Sequence, residues 1–326
     1  MESYLFDRIR ERCREVAGQA RFVRIVSDAI EGYAQAIAPL TVEAACYDES
    51  LHFRGSPEDT VAYIVTLDAV NFGSGYFPHI AKRPGCSGYG TIAQSLTDRF
   101  RAKGPLAADE LARMTSTDCA RWFGQDASDP AVAELMALFA RAWNDLGRDL
   151  LERFGGSFTA LVESADGAAS RLVASIERQP LFRDVWMYRS AEVPFYKRAQ
   201  ILASDLSLAL DDTGWGRFGD LDSLTIFADN LVPHVLRLDG ILSYDADLAL
   251  RIERGELLLA GSAAEVEIRA CALHAVELIV ASLRARSFAR CGAAVTARDL
   301  DIVLWNRSRS AEYKAAPRHR TRTTSY

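Results

Sequence analysis

Apolar positions recur at helical spacing along most of the chain, and the clearest segments carry their own start and stop signals. Ser56-Pro57-Glu58-Asp59 supplies a capping hydroxyl, a proline at the first helical position and two carboxylates where the positive end of a helix dipole favours them. The run that follows, through Val61, Ile64, Val65, Leu67 and Val70, is apolar on most sides. It predicts a buried helix and makes Asp68 and Asn71 unusual within it. Pro130 opens a longer amphipathic stretch, Ala131 to Arg153, and Gly155-Gly156 offers the left-handed geometry that ends helices. Ser262 with Glu265 fits a capping box for a helix from Ala263 through Leu283. Thr296 and Asp299 similarly start a short helix carrying Asp301, Leu304 and Trp305.

Strand patterns are few: Thr41 to Tyr47 and Val185 to Tyr188 are compatible with short strands. The fold class expected is therefore mainly α with few short strands. No internal repeat or long Pro/Gly/Ser linker divides the chain. The sharpest change in composition, Ala81 to Pro105, is rich in Gly, Pro, Lys and Arg and reads as a surface excursion or a lid. Residues 1–326 are expected to form a single domain, or two closely packed helical lobes around one cleft.

Composition narrows the function classes. The chain has 326 residues, 49% of them hydrophobic, enough to bury a core without borrowing a partner's surface. A net charge of −6 argues against a long duplex as ligand, because duplex binders carry a basic field to displace counterions. A small or single-nucleotide substrate fits better. Cys13, Cys46, Cys86, Cys119, Cys271 and Cys291 are scattered without a CxxC pair, as expected of reduced thiols in a cytoplasmic protein. The start, Met1 to Arg8, has no basic segment followed by an apolar run, and no stretch approaches a membrane span of about 18 apolar residues. Neither secretion nor membrane association is expected.

Common chemical templates are absent: there is no GxGxxG, Walker A, HExxH or GxSxG motif. Gly214-Trp-Gly-Arg-Phe-Gly219 has glycines but no preceding strand, which makes it a loop. His52, His79, His234, His274 and His319 are far apart, with no zinc-binding interval, so no metal site is read. What stands out is carboxylates embedded in apolar text. Asp229 closes Leu224-Thr-Ile-Phe-Ala-Asp229 just before Val232-Pro233, Asp301 sits in Leu300-Asp-Ile-Val-Leu-Trp305, and Asp205 follows Ile201-Leu-Ala-Ser204. An ionised carboxylate among such neighbours must be paired, hydrogen-bonded or kept protonated. The pattern alone leaves each of them open as a cap or ion-pair partner. Tyr196-Lys197-Arg198 puts cations at a helix start, where a bound phosphate would relieve the conflict with the dipole; pairing with Asp184 and Glu192 is the alternative. The basic segment Pro317 to Tyr326 is either a floppy tail or a docked strand contributing charge to a pocket.

Five blocks, in order and spacing, resemble the motifs of the queuosine salvage family: Phe154-Gly-Gly-Ser-Phe158, Phe195-Tyr-Lys-Arg-Ala-Gln-Ile201, Leu224-Thr-Ile-Phe-Ala-Asp229, Glu265-Val-Glu-Ile-Arg269 and Asp301-Ile-Val-Leu-Trp305. Leu67-Asp-Ala-Val-Asn-Phe72, Ser87-Gly-Tyr89 and Pro317-x-His-Arg-x-Arg322 add to it, and the resemblance runs from about Arg14 to Tyr326. It implies hydrolysis of queuosine 5′-monophosphate to queuine and ribose 5-phosphate, so that queuine is reused for transfer-RNA modification. It also implies a mostly helical fold whose core is similar to helix-hairpin-helix DNA glycosylases. By the resemblance Asp229 matches the nucleophile or transition-state stabiliser. Phe227 and Asp301 match residues that hold the base, with Ile226 and Asn230 beside them, and His52 matches a pocket histidine. Lys197 falls in a motif, and a phosphate role for it is our own reading. Three positions depart from the pattern: Asn230 stands where an aromatic residue is expected, Gly90 where a tryptophan is expected, and Gly73-Ser-Gly75 replaces an aromatic run.

Cleaving an N-glycosidic bond builds positive charge on the ribose, and a carboxylate beside the anomeric carbon stabilises that charge. This is the role expected of Asp229, with no cofactor required. The partners expected are the nucleotide and queuine, without a stable nucleic-acid complex or a membrane. Two alternatives remain open on sequence: a glycosylase acting on bases in nucleic acid, and a non-enzymatic helical interaction protein.

Overall fold

The computed structural model describes residues 4–41, 46–288 and 294–326. In chain order the regular elements are α1 (Tyr4–Gln19), β1 (Val23–Ile25), α2 (Ser27–Ile37), α3 (Pro57–Asp68), α4 (Gly88–Lys103), α5 (Ala108–Leu111), α6 (Ser116–Phe123), α7 (Pro130–Phe154), α8 (Phe158–Glu163) and α9 (Ala169–Ile176). They continue with β2 (Val185–Tyr188), β3 (Ala191–Pro194), α10 (Lys197–Ala209), α11 (Val232–Leu238), β4 (Leu242–Tyr244), α12 (Ala246–Glu253), α13 (Ala263–Phe288), α14 (Ala297–Arg307) and α15 (Ala311–Ala315). The mainly α expectation holds. The strand expected over Thr41 to Tyr47 falls on residues 42–45, which lie outside the described residues, as does Cys291. Cys13, Cys46, Cys86, Cys119 and Cys271 are free thiols. Among the described residues no helix is long and apolar enough to cross a membrane.

The chain divides into two compact units. The first gathers the described residues of Met1–Ala45, Asp184–Lys197 and Asp222–Arg322. Its centre is α13, against which α1, α2, α11 and α14 pack. Val266, Ile268, Ala270, Cys271, Leu273, Val276 and Ile279 are all buried, so this helix is enclosed on every side over its first half. Ser262 Oγ accepts from the Glu265 amide at 3.4 Å. The Glu265 carboxylate accepts from Gly261 N at 3.1 Å and lies 3.7 Å from Arg269. Two antiparallel ribbons complete the unit, β1 with β4 (Val23↔Tyr244) and β2 with β3 (Val185↔Pro194). Buried Glu267 ties both ribbons to α13: Oε2 accepts from the amides of Arg21, Phe22 and Val23, and Oε1 from the Tyr188 hydroxyl.

The basic C-terminal segment is docked. Leu258 N donates to Arg320 O at 2.8 Å in a parallel bridge, Arg320 Nη2 reaches Gly255 O, and His319 and Thr321 are buried.

The second unit gathers Cys46–Arg183, Arg198–Leu221 and Thr323–Tyr326. Its long helix α7 starts on the side chain of Asp129 with Pro130 in the first turn and stops at left-handed Gly155. Its buried stripe, Val132, Leu135, Met136, Phe139, Trp143, Leu146 and Leu150, follows the three-to-four spacing of one helix face. Gly147 lets α5 approach, since a Cβ there would strike the backbone at Ala108 and Ala112. Helix α3 is capped by Ser56 as expected and is buried from Thr60 onward, but it ends at Asp68 rather than Val70. Asn71 Nδ2 donates to Asp68 Oδ1 at 3.1 Å. Arg198, fully buried, closes the helix end by donating to Asp68 O and Ala69 O, and it also reaches Leu181 O. Its guanidinium is thus committed to carbonyls and to the rings of Phe72 and Phe182, which removes it from the phosphate reading of Tyr196-Lys197-Arg198. The Ala81 to Pro105 stretch is not a lid: it holds α4, capped by Ser87, whose Ile92, Leu96 and Phe100 are core residues. The low helix propensity of Gly88 and Gly90 concealed that helix start.

Candidate active site

Between residue 223 and α11 the chain runs through Leu224 to Leu231 as buried irregular backbone, whose polar groups need partners from elsewhere. Those partners are specific. Arg10 Nη2 donates to Ser223 O at 2.6 Å, Asp301 Oδ1 accepts from Phe227 N at 2.8 Å, and Arg269 Nε donates to Ala228 O at 2.9 Å. Asn230 Nδ2 donates to His319 O at 3.4 Å. Ile226 is buried, and its carbonyl accepts from Ala228 N at 3.0 Å. A proline inside the first turn of α11 costs no hydrogen bond there, which fits the helix beginning only at Val232.

Asp229 lies in this loop with 8% of its surface exposed. Its Oδ1 accepts from Leu231 N at 2.7 Å and Val232 N at 3.1 Å; Oδ2 takes part in neither bond. Burial pushes its carboxyl above the usual carboxylate range, while the Lys197 ammonium, the amides of Val232 and Leu231 and the Arg318 guanidinium pull the other way. So the cap geometry read from sequence is present, but on one oxygen of a carboxylate that burial makes costly to ionise.

Two cations act on Asp229. Lys197 is buried at the start of α10, with its backbone N donating to Asp184 Oδ2 at 3.2 Å. The residue before it, Tyr196, is held at φ +49°, a left-handed conformation that costs a non-glycine residue on the order of 1 kcal/mol or more. Arg318 comes from the docked C-terminal segment; it is half-buried, and its guanidinium makes no hydrogen bond among the described residues. Burial depresses Arg318, and Asp229 opposes that shift.

Behind the loop sits a buried ion pair that sequence reasoning did not find. Arg269 is completely enclosed and meets Asp184 in a two-pronged contact, Nη1 to Oδ1 at 3.0 Å and Nη2 to Oδ2 at 2.6 Å. Its guanidinium stacks 4.0 Å from the Phe195 ring centroid, and Asp184 Oδ1 also accepts from Trp186 Nε1 at 2.9 Å. This cluster joins α13, the β2–β3 ribbon, the start of α10 and the Asp229 loop. Within Glu265-Val-Glu-Ile-Arg269 the charged residues divide their contacts: Arg269 holds the loop at Ala228 O, and Glu267 holds the two ribbons.

Residues 51–326 match the family model described as queuosine salvage protein. The chain belongs to the queuosine salvage family. It is similar to the queuosine 5′-phosphate N-glycosylase/hydrolase of Sphaerobacter thermophilus, 38% identical over 96% of this chain and 96% of the relative. Relatives of the same name from Mus musculus, 31% identical over 97% of this chain and 98% of the relative, and from Bos taurus, 30% over 98% and 96%, match across nearly the whole length as well.

Of the residues marked out by the family motifs, Ile226, Phe227, Asp229 and Asn230 share one loop, Asp301 bonds to that loop at Phe227 N, and Lys197 acts on Asp229 in the same unit. His52 belongs to the second unit. There its Nε2 lies 2.9 Å from the Tyr89 hydroxyl, its Nδ1 3.1 Å from Asp48 O, and its ring packs among Tyr47, Tyr63 and Tyr89. Burial lowers the His52 imidazole below its usual range, so it is neutral at neutral pH. In the same unit Gly73 adopts φ +106° and its amide donates to Tyr326 O at 3.0 Å. Gly90 N donates to the capping Ser87 Oγ at 3.0 Å. Among the described residues no group of three or more His, Cys, Asp and Glu is placed to hold a metal ion.

Proposed function

We propose that this chain hydrolyses the N-glycosidic bond of queuosine 5′-monophosphate in the cytoplasm, releasing queuine and ribose 5-phosphate for queuine salvage into transfer RNA. The observation that carries the reading is Asp229: a buried carboxylate in a family motif, held by two amides on Oδ1 alone, with two cations acting on it. Positive charge developing on the ribose is stabilised by this carboxylate more than the neutral ribose of the substrate is. The same group is suited to attack the anomeric carbon or to orient water.

In this reading Phe227 stacks on the leaving base, and Ile226 and Asn230 complete its surroundings. Asp301 does two things: Oδ1 holds the Phe227 amide, and the carboxylate grips donors on the base. Lys197 and Arg318 hold the 5′-phosphate, whose dianion offsets the positive charge that both bring to the loop. His52, a neutral imidazole among tyrosines of the second unit, keeps the pocket-histidine role that the family resemblance implies. The whole chain then works as one queuosine-salvage domain, with a core similar to that of helix-hairpin-helix DNA glycosylases. It needs no cofactor and forms no stable nucleic-acid complex.

Mass spectrometry of products after incubation with queuosine 5′-monophosphate, with queuosine as control, tests this directly. Queuine and ribose 5-phosphate are the products expected. An intact nucleotide after prolonged incubation overturns the reading.

A further inference from the structure

The first unit holds a second cationic site. A cavity of about 610 Å³ opens beside the β1–β4 ribbon, within the roughly 300–1,000 Å³ range of small-molecule pockets. Its walls include Arg14 from α1, Arg21 and Arg24 around β1, Tyr244 from β4 and His274 from α13. None of its lining residues belongs to the Asp229 loop or to its cations Lys197 and Arg318.

Charge in this cavity is poorly balanced. The one carboxylate in its lining, Asp245, is already used, with Oδ1 accepting from Leu248 N at 2.7 Å as the cap of α12. Arg14 has only a 4.0 Å contact with exposed Glu11. The Arg21 guanidinium lies 5.4 Å over the ring of Phe22, and Arg24 makes no ion pair among the described residues. Arg14, Arg21 and Arg24 are all exposed residues of the lining, and an anion bound among them gains charge-assisted contacts from each guanidinium it reaches. Burial and Arg14 hold the His274 imidazole below its usual range, so it brings hydrogen-bonding capacity without charge. Phe22 and Leu278 give the cavity an apolar wall.

We propose that this cavity binds a phosphomonoester of sugar-phosphate or nucleotide size, with the phosphate on Arg14, Arg21 and Arg24 and the uncharged body against Phe22 and Leu278. It is a second anion site, separate from the one that would hold the substrate phosphate.

Calorimetric titration of the full chain with ribose 5-phosphate tests this without relying on turnover. Wild type is expected to show two classes of site. The double variant Arg21→Ala/Arg24→Ala weakens one class by about tenfold or more, as loss of charge-assisted hydrogen bonds requires, and keeps hydrolysis unchanged at saturating substrate. Lys197→Ala/Arg318→Ala weakens the other class only. Should the first double variant not fold, Arg24→Glu on the exposed face of β1 gives the same readout. Wild-type affinity and stoichiometry in the Arg21/Arg24 variants overturn the proposal, as does tight binding of a single-stranded oligonucleotide with no binding of ribose 5-phosphate. If the hydrolase reading itself fails, the two titration classes are still counted independently.

Discussion

Asp184 and Asp229 are both buried aspartates of the same unit, and their surroundings treat them in opposite ways. Asp184 meets a two-pronged guanidinium, an indole N–H and a backbone amide, so both its oxygens are engaged. Asp229 has its two amide donors on a single oxygen and feels its cations from the side, and burial raises its carboxyl. The first arrangement fixes geometry; the second is the one that the proposed reaction needs, a carboxylate with an oxygen outside its amide bonds. One irregular buried loop can thus be tied down through a fully satisfied carboxylate while a neighbouring one is satisfied only in part.

The largest test of this contrast is Asp229→Asn. Asn retains an acceptor for Leu231 N and Val232 N, so the fold should persist, while queuine release from the nucleotide falls by about 10²–10³-fold or more. Near-wild-type release would remove Asp229 from the chemistry. On the other side, Arg269→Met leaves Asp184 buried and unpaired and should lower unfolding free energy by about 3–5 kcal/mol, read from urea denaturation. Adding Asp184→Leu to it should recover much of that loss. If Arg269→Met costs nothing, the ion pair is not what fixes the loop.

Smaller effects sharpen the comparison. Lys197→Ala should weaken queuosine 5′-monophosphate about tenfold more than queuosine, as loss of one charge-assisted contact implies. Equal losses on both substrates would make it a structural lysine. The same variant removes a cation that holds the Asp229 carboxyl down, so the acid limb of kcat/KM should move to higher pH. The smallest effect is on stability. Burial raises Asp229 above its unfolded value, so the folded chain binds the extra proton between the two values and loses stability as pH climbs through that window. Asp229→Asn escapes this loss. Its Tm should exceed wild type by on the order of 1–2 °C at neutral pH, with the gap closing as pH falls toward about 3.9.

What the sequence revealed was local. Ser56, Pro130 and Thr296 each announce a helix within four residues, because capping bonds and first-turn prolines are local signals. Asp229 and Asp301 stood out because carboxylates in apolar text are costly, and the family motifs then separated their roles. Asp184 with Arg269 could not be read this way. They are separated by 85 positions, and neither segment alone says that its charge is buried. The docking of Pro317 to Arg322 rests on a main-chain bond from Leu258 and on the Arg320 guanidinium reaching Gly255 O, and neither leaves a mark in composition, so Arg318 was hidden inside a basic run. Strands β1 and β4 are three residues each, too short for any alternation to register.

The two units also differ in how their chain segments are ordered, and this sets a sequence of events during synthesis. The second unit draws most of its residues from the continuous run Cys46–Arg183, so its helices can pack while later residues are still being added. The first unit has its central helix near the end, at Ala263–Phe288, and residues from Met1–Ala45 must wait for it. Of the partners that hold the Asp229 loop, Arg10 precedes it, whereas Arg269, Asp301 and His319 emerge after the loop they hold. On the ribosome, the Asp229 loop is therefore made before most of what locks it.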